Sequence, residues 1–258
     1  MKVNSARTDR TEAVATGQTL AERARLHGAL ADPARLAMVD HLVLGDASPG
    51  ELGLLVDQPT NLLAHHLHVL DDTGIIRRVR SEGDRRRSYV QLRLDDPVIA
   101  ALVAATALGR GRSADAAATT RVVFLCTHNS ARSQLAAALW ADVSDVPAAS
   151  AGTHPATGVH PRAVAAGSRH GLNLTQARTS HLSDVLTGGD LIVAVCDNAY
   201  EELAATPTGP DLHWAVPDPV RIDTDEAFES TCEHLAPRIR RLAGALDRAG
   251  DPSSRSTP

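Results

Sequence analysis

The chain has 258 residues, a formal net charge of −5, 43% hydrophobic residues and only 2% aromatics. That length accommodates two modest domains with cores of Ala, Leu and Val, and the acidic balance excludes a globally basic nucleic-acid binder. Three scattered cysteines, Cys126, Cys196 and Cys232, exclude a disulfide scaffold and read as reduced thiols of a cytoplasmic protein. Residues 1–18 are polar, lack the apolar core of a signal peptide and read as a flexible tail. The longest apolar run, Val98–Leu108, is too short to span a bilayer, so no membrane is expected.

Thr19-Leu20-Ala21-Glu22 has capping-box spacing and opens a helix to about Leu30. Asp32-Pro33 opens a second, with Asp as N-cap and Pro at the first helical position. Its apolar positions Leu36, Val39, Leu42 and Val43 recur at helical spacing, and Gly45 ends it. Ser48-Pro49-Gly50-Glu51 is another capping box, for a short helix through Val56; Asp57-Gln58-Pro59 is a turn, and a helix over Thr60–Asp72 stops at Gly74. Ile75–Arg80, the turn Ser81-Glu82-Gly83-Asp84 and Arg85–Leu94 read as a β-hairpin, followed by an amphipathic helix from Pro97 to Leu108. Two short helices across a tight turn and then a hairpin predict a mainly α winged helix-turn-helix over 19–108. Its hairpin carries Arg77, Arg78, Arg80, Arg85, Arg86, Arg87 and Arg93 against Glu82 and Asp84, a local excess suited to phosphate contacts.

The motifs Leu30-Ala31-Asp32-Pro33-Ala34-Arg35-Leu36 and Leu63-Ala64-His65-His66-Leu67-His68-Val69-Leu70, with Gly74-Ile75-Ile76 leading into the arginines, resemble the ArsR family of bacterial repressors. The resemblance implies a homodimer on palindromic operator DNA. Thr60, Asn61, His65, His66 and His68 would face the major groove, and Arg85, Arg86 and Arg87 the phosphates. A metal cluster of the histidines is the lesser reading, because consecutive positions do not face one another on a helix. Arsenite-sensing relatives carry cysteines in the helix that here reads Glu51-Leu52-Gly53-Leu54-Leu55-Val56; none occurs before Cys126. A trivalent arsenic site needs soft thiolates, so this region is not expected to sense arsenite by that route.

Residues 109–120 are small and polar and read as a linker. From Arg121 strands and helices alternate to about 248: strands at 122–125, 148–150, 191–195 and 213–214, with helices between and a long final helix at 225–248. That order predicts an α/β domain with a parallel four-stranded sheet, its ligand site at the carboxyl ends of the strands, and a second tail over 249–258.

The first of these strands ends at Cys126, and five residues separate Cys126 from Arg132. A strand-to-helix turn of that length points backbone N–H groups inward as an anion cradle, helped by the helix N-terminus. A cysteine at its base becomes a thiolate nucleophile, its pKa falling from about 8.5 to roughly 3.5–7.5 in such surroundings. Arg132 can grip two oxygens of a tetrahedral oxyanion, and Ser133 is placed to donate to the thiolate. The cradle comprises Thr127, His128, Asn129, Ser130, Ala131, Arg132 and Ser133. In Val216-Pro217-Asp218-Pro219 the prolines hold Asp218 in a stiff extended loop, as a general acid requires. Cys196 ends another apolar strand and should reach the same edge.

Cys126–Ser133, Ser150-Ala151-Gly152-Thr153, His160-Pro161, Val195-Cys196-Asp197-Asn198-Ala199, His213-Trp214 and Asp218-Pro219 resemble the low-molecular-weight phosphatase superfamily and, within it, the arsenate reductases. The resemblance implies that Cys126 attacks arsenate, Asp218 protonates the departing oxygen, and Cys196 supplies the second thiol that releases arsenite. Superfamily phosphatases usually carry tyrosines just after the general acid, where this chain has Val220 and Arg221. Thioredoxin-linked reductases carry a third cysteine seven residues past the second, where this chain has Leu203. The reductant is therefore an external thiol, whether mycothiol, glutathione or a thioredoxin- or glutaredoxin-type partner, with Cys232 as the lesser resolving candidate. No bound cofactor or metal is expected. The expectation is a repressor fused to an arsenate reductase; the alternatives are a repressor fused to a protein phosphatase, and a pure regulator sensing an oxyanion.

Overall fold

Local hydrogen bonds of polar side chains set the helix starts in the first half of the chain. The structure is a computed structural model and describes residues 19–106, 119–206 and 209–250; the tail at 1–18 and most of the expected linker and C-terminal tail lie outside them. Thr19 and Ser48 form reciprocal capping boxes with Glu22 and Glu51 at the heads of α1 (Leu20–Leu30) and α3 (Pro49–Val56). The Asp32 carboxylate accepts the Arg35 N–H at 3.0 Å and caps α2 (Pro33–Leu42). Helix α4 (Thr60–Asp72) ends before Gly74, whose φ of +72° suits glycine. Met38, Val39, Leu52, Leu67, Leu70, Ile75, Ile76 and Val90 form the core beneath them, with Ile99 and Val103 from α5 (Pro97–Thr106).

Two expectations change here. His66 is 6% exposed, with Nδ1 3.7 Å from the Asp32 carboxylate, and does not face outward. The buried stripe of α4 runs through Leu63, His66, Leu67 and Leu70, and helical spacing places the histidine in it. The hairpin turn is also longer than expected. Strands β1 (Ile76–Arg80) and β2 (Ser88–Leu92) pair antiparallel with Arg80 opposite Ser88. The Ser81 N–H donates to the Arg87 carbonyl at 3.1 Å and the Arg87 N–H to the Asp84 carbonyl at 2.8 Å. Arg85, Arg86 and Arg87 thus belong to the turn, not to β2.

The second half builds a parallel sheet in the order β4-β3-β5-β6, from β3 (Arg121–Cys126), β4 (Ala148–Gly152), β5 (Asp190–Ala194) and β6 (Leu212–His213). Side-chain alternation divides β3 between two cores. Val122 and Phe124 pack with Trp140 of α6 (Arg132–Ala141), Ala163 of α7 (Pro161–Arg169), and Phe228 and Leu235 of α11 (Asp225–Gly250). Val123 and Leu125 face the smaller opposite cluster, with Leu182 of α8 (Leu182–Val185) and Leu203 of α9 (Asp197–Leu203). Helix α8 and α10 (Pro219–Ile222) are four residues each, too short to leave a periodicity in the sequence.

The halves are joined through β2, which is buried on both faces. Val90 and Leu92 enter the core of the helical half. Tyr89 and Gln91 face the other way: the Tyr89 ring meets His213 edge-on at 4.3 Å, and Gln91 Nε2 donates to the Ala215 carbonyl at 3.1 Å. Asp46 is the pivot. Its Oδ2 accepts from Gln91 Nε2 (2.8 Å) and the Ala215 N–H (2.7 Å), and its Oδ1 from Arg238 Nη1 (2.9 Å). The Trp214 indole adds a 2.7 Å bond to the Leu44 carbonyl. Removing one partner of a buried, hydrogen-bonded charge pair costs about 3–5 kcal/mol. Asp46→Ala is expected to lower the thermal midpoint and to split a single calorimetric transition into two; one unshifted transition would refute the pivot.

Candidate active site

The loop after β3 is held open by its carbonyls. The carbonyls of Cys126, Thr127, His128 and Ser130 accept from the N–H groups of Thr153 (3.3 Å), His154 (2.8 Å), Ala156 (2.9 Å) and His160 (2.8 Å). The Asn129 carbonyl accepts from Gln134 Nε2 at 3.0 Å. Carbonyls tied outward leave the amides to line the inside, and the Asn129 N–H meets Cys126 Sγ at 3.2 Å. Helix α6 begins at Arg132 and turns its N-terminus on the same spot.

Asn129 has a φ of +51° and fixes the polarity of the site. Its Oδ1 accepts the Ser180 N–H at 2.9 Å, so its Nδ2 must be the donor to Ser133 Oγ (2.9 Å) and Ser150 Oγ (2.9 Å). Ser133 Oγ, already accepting, has its own hydrogen free to donate to Cys126 Sγ at 3.1 Å. The sulfur therefore has hydrogen-bond donors from both the backbone and a hydroxyl. The Ser150–Thr153 motif gains a reason as well. A Cβ on Gly152 would lie 2.7 Å from the Thr127 carbonyl oxygen and 3.0 Å from the Asn129 nitrogen, so only glycine lets β4 pass beneath the loop.

Parallel pairing of β3 with β5 sets Leu125 opposite Ala194, so Cys126 and Cys196 leave the sheet at neighbouring strand ends. Cys196 is fully buried and caps α9, its Sγ accepting from the Ala199 N–H and lying 3.6 Å from Thr127 Oγ1. Burial raises its pKa, Arg132 opposes this, and a charge on Cys126 adds to the rise. Cys232 is buried in the core face of α11, where burial and then Glu229 push its thiol up to about 11.

Arg132 is 4% exposed. Burial works against its charge, but the Cys196 and Cys126 sulfurs when ionised, and the carboxylates of Asp218 and Glu82, more than compensate and raise its pKa. Its Nη2 lies 3.1 Å from Asp218 Oδ2, its Nη1 donates to the Val216 carbonyl at 3.1 Å, and Nη1 is 3.5 Å from Glu82 Oε2. Asp218 is extended, as expected, but it also caps α10 through the Val220 N–H at 3.2 Å.

The expected catalytic set, Cys126, Arg132, Asp218 and Cys196, thus converges. Glu82, from the hairpin turn, was not foreseen there. Nor was the buried Asp197–His213 pair (2.9 Å), with the His213 ring stacked on Tyr200 at 4.2 Å. Of the residues expected to face DNA, Thr60, Asn61, His65 and His68 are exposed on α4. His68 lies 3.1 Å from Asp72, and Arg85, Arg86 and Arg87 are exposed in the turn, Arg86 paired with Asp84 at 2.9 Å. Among the described residues no group of three or more His, Cys, Asp or Glu could hold a metal, and no helix is long and apolar enough to cross a membrane.

The sequence profile of the low molecular weight phosphotyrosine protein phosphatases matches residues 121–251. The chain belongs to that family. Its α/β region is an enzyme. The arsenate reductase of Halalkalibacterium halodurans is 32% identical over 134 residues, 47% of this chain and 94% of that protein. The arsenate reductase of Brevibacillus brevis is 33% identical over 129 residues, 47% of this chain and 92% of that protein. A solved arsenate reductase from Archaeoglobus fulgidus covers 48% of this chain and 98% of its own, at 27% identity and a TM-score of 0.42.

Gly152→Ala tests the loop architecture. Backbone atoms on both sides would meet the new methyl, so phosphate affinity is expected to fall at least about tenfold, as when an oxyanion-hole donor is misplaced. Equilibrium titration with inorganic phosphate checks this; unchanged affinity would show that the loop tolerates a Cβ.

Proposed function

We propose that the chain is a bifunctional arsenic-resistance protein: a domain at 121–248 reducing arsenate to arsenite, and a winged helix-turn-helix domain at 19–108 repressing transcription as a homodimer on palindromic operator DNA. The observation that carries the first half is the buried Cys196 at the strand end beside Cys126, a second thiol that a hydrolytic phosphatase does not need.

In this reading the cradle of Thr127–Ser133 and the Arg132 guanidinium hold the oxyanion over Cys126 Sγ. The sulfur attacks arsenic, forming an S–As bond, while Asp218 gives its proton to the departing oxygen, which leaves as water. Loss of the Cys126 charge removes one of the influences that keep Cys196 protonated. Cys196 Sγ then attacks Cys126 Sγ: the S–S bond forms, and the S–As electron pair stays on arsenic, which leaves as arsenite. An external thiol must reduce the disulfide, since Leu203 stands where a third cysteine would serve.

Arsenite formation from arsenate, supplied in turn with glutathione, mycothiol, and a thioredoxin or glutaredoxin system, tests this. Wild type is expected to turn over with one of these donors, Cys126→Ser to be inactive, and Cys196→Ser to lose at least about a hundredfold. Wild-type turnover by Cys196→Ser would sink the two-thiol mechanism. The family's phosphatase activity is the second reading; hydrolysis of an aryl phosphate without thiol, with no arsenite formed, would favour it.

The repressor half rests on the ArsR resemblance, the exposed Thr60, Asn61, His65 and His68 of α4, and the three exposed arginines of the turn. A turn that reaches Arg132 also supports a relay in which the second domain reads the arsenic signal, since the first has no cysteine. Selection from a randomised duplex pool is expected to yield a palindromic site. Arg85→Ala, Arg86→Ala and Arg87→Ala together should weaken binding across sequences and flatten the slope of log K against log salt by up to about 3. Recovery of no site, or an unchanged slope, would count against this half.

A further inference from the structure

The hairpin turn at 81–84 lies against the catalytic cation. Glu82 Oε2 is 3.5 Å from Arg132 Nη1 and accepts the Asp218 N–H at 3.0 Å. The turn's backbone is pinned separately. The Glu82 N–H donates to Asp197 Oδ2 (2.8 Å), the Asp84 N–H to Glu201 Oε2 (2.8 Å), and Ser81 Oγ to Glu201 Oε1 (2.7 Å). Arg221 Nη2 adds a 3.4 Å bond to the Glu82 carbonyl, and Tyr89 Oη donates to Glu201 Oε1 at 2.8 Å. A Cβ on Gly83 would sit 2.6 Å from Glu201 Oε2 and 2.7 Å from Asn198 Oδ1, so the turn lies flush on α9.

These contacts fall into two groups of different mobility. The Glu82 carboxylate is a side chain that can rotate away, and an incoming tetrahedral dianion would repel it from Arg132. The backbone bonds to Asp197 and Glu201 hold the turn itself against α9. We infer that the turn is the substrate-selecting wall of the active site: Glu82 is the resident anion on Arg132 that a free oxyanion displaces, and the pinned backbone turns away phosphate esters carried on proteins or aryl groups. This inference rests on the oxyanion site proposed above and deepens it, since it makes a small inorganic oxyanion the substrate class.

Two variants test the two levers. Glu82→Gln keeps the shape and removes the competing charge. Titration with inorganic phosphate is expected to show about tenfold tighter binding, the size of a modest charge-pair contribution. Glu201→Ala releases Ser81, Asp84 and Tyr89, and should raise aryl phosphate kcat/KM relative to inorganic phosphate affinity by a similar factor; Glu201→Gln replaces it if the alanine chain does not fold. A purely structural Glu82 would shift the thermal midpoint and leave phosphate affinity unchanged. Equal phosphate affinity in wild type and Glu82→Gln overturns the resident-anion role, and an unchanged ratio in the Glu201 variants overturns the wall. Phosphate binding needs no redox chemistry, so a chain that binds phosphate but makes no arsenite sinks the reductase reading alone.

Discussion

A buried guanidinium needs anions, and Arg132 draws the architecture together by that need. Taking a cation out of water is costly unless paired charges and hydrogen bonds replace the water. Arg132 meets the cost from three directions: Asp218 after the last strand, the Val216 carbonyl, and Glu82 from the hairpin of the helical half. An oxyanion seated on the loop after Cys126 would be a better partner, with its oxygens set for a bidentate grip. The carboxylates around Arg132 therefore keep the cation in place without saturating it.

The joint between the halves has the character of a core, not of a surface encounter. Both tyrosines of the chain lie in it, flanking His213. Burial, and then the carboxylates that accept their hydroxyls, Glu201 for Tyr89 and Glu51 for Tyr200, push both phenols well above the ordinary tyrosine range. They are neutral donors, and each ties one half to the other. With only 2% aromatics, placing both tyrosines here commits a scarce resource to one surface. The sheet edge that carries Cys126 and Cys196 is thus built against a fixed neighbour.

What could be read from the sequence was local. Capping boxes announce helix starts because both partners lie within one turn, and the Cys126–Arg132 spacing announces an anion loop because strand, loop and helix are contiguous. Register within the loop, the role of Asn129 and the need for Gly152 were not legible, since Ser150, Ser180 and Thr127 meet only through the sheet. Glu82 was misjudged for the same reason. Beside seven arginines it counted only against the positive charge of the hairpin, whereas its partners Arg132 and Asp218 come from the other half of the chain. His66 failed differently: a polar residue in the apolar stripe of α4 reads as outward by type and inward by spacing, and spacing decided.

The turn has two chemical sides. Glu82 faces Arg132, while Arg85, Arg86 and Arg87, a few residues on, face solvent. If the turn's arginines also meet DNA phosphates, the two engagements share one short piece of backbone, pinned by Asp197 and Glu201. Binding free energies are reciprocal: in that case an oxyanion that took Arg132 from Glu82 would alter duplex affinity by the same factor by which the duplex altered oxyanion affinity. The size of that coupling is bounded by the contacts that differ between a docked and a released turn. These would be the Glu82 pair and the hydrogen bonds to Asp197, Glu201 and Arg221, not the contacts of Gln91 with Asp46 and Ala215. A few charge-assisted bonds would place it in the ordinary allosteric range of about 1–3 kcal/mol, a coupling that would not require parting the two halves.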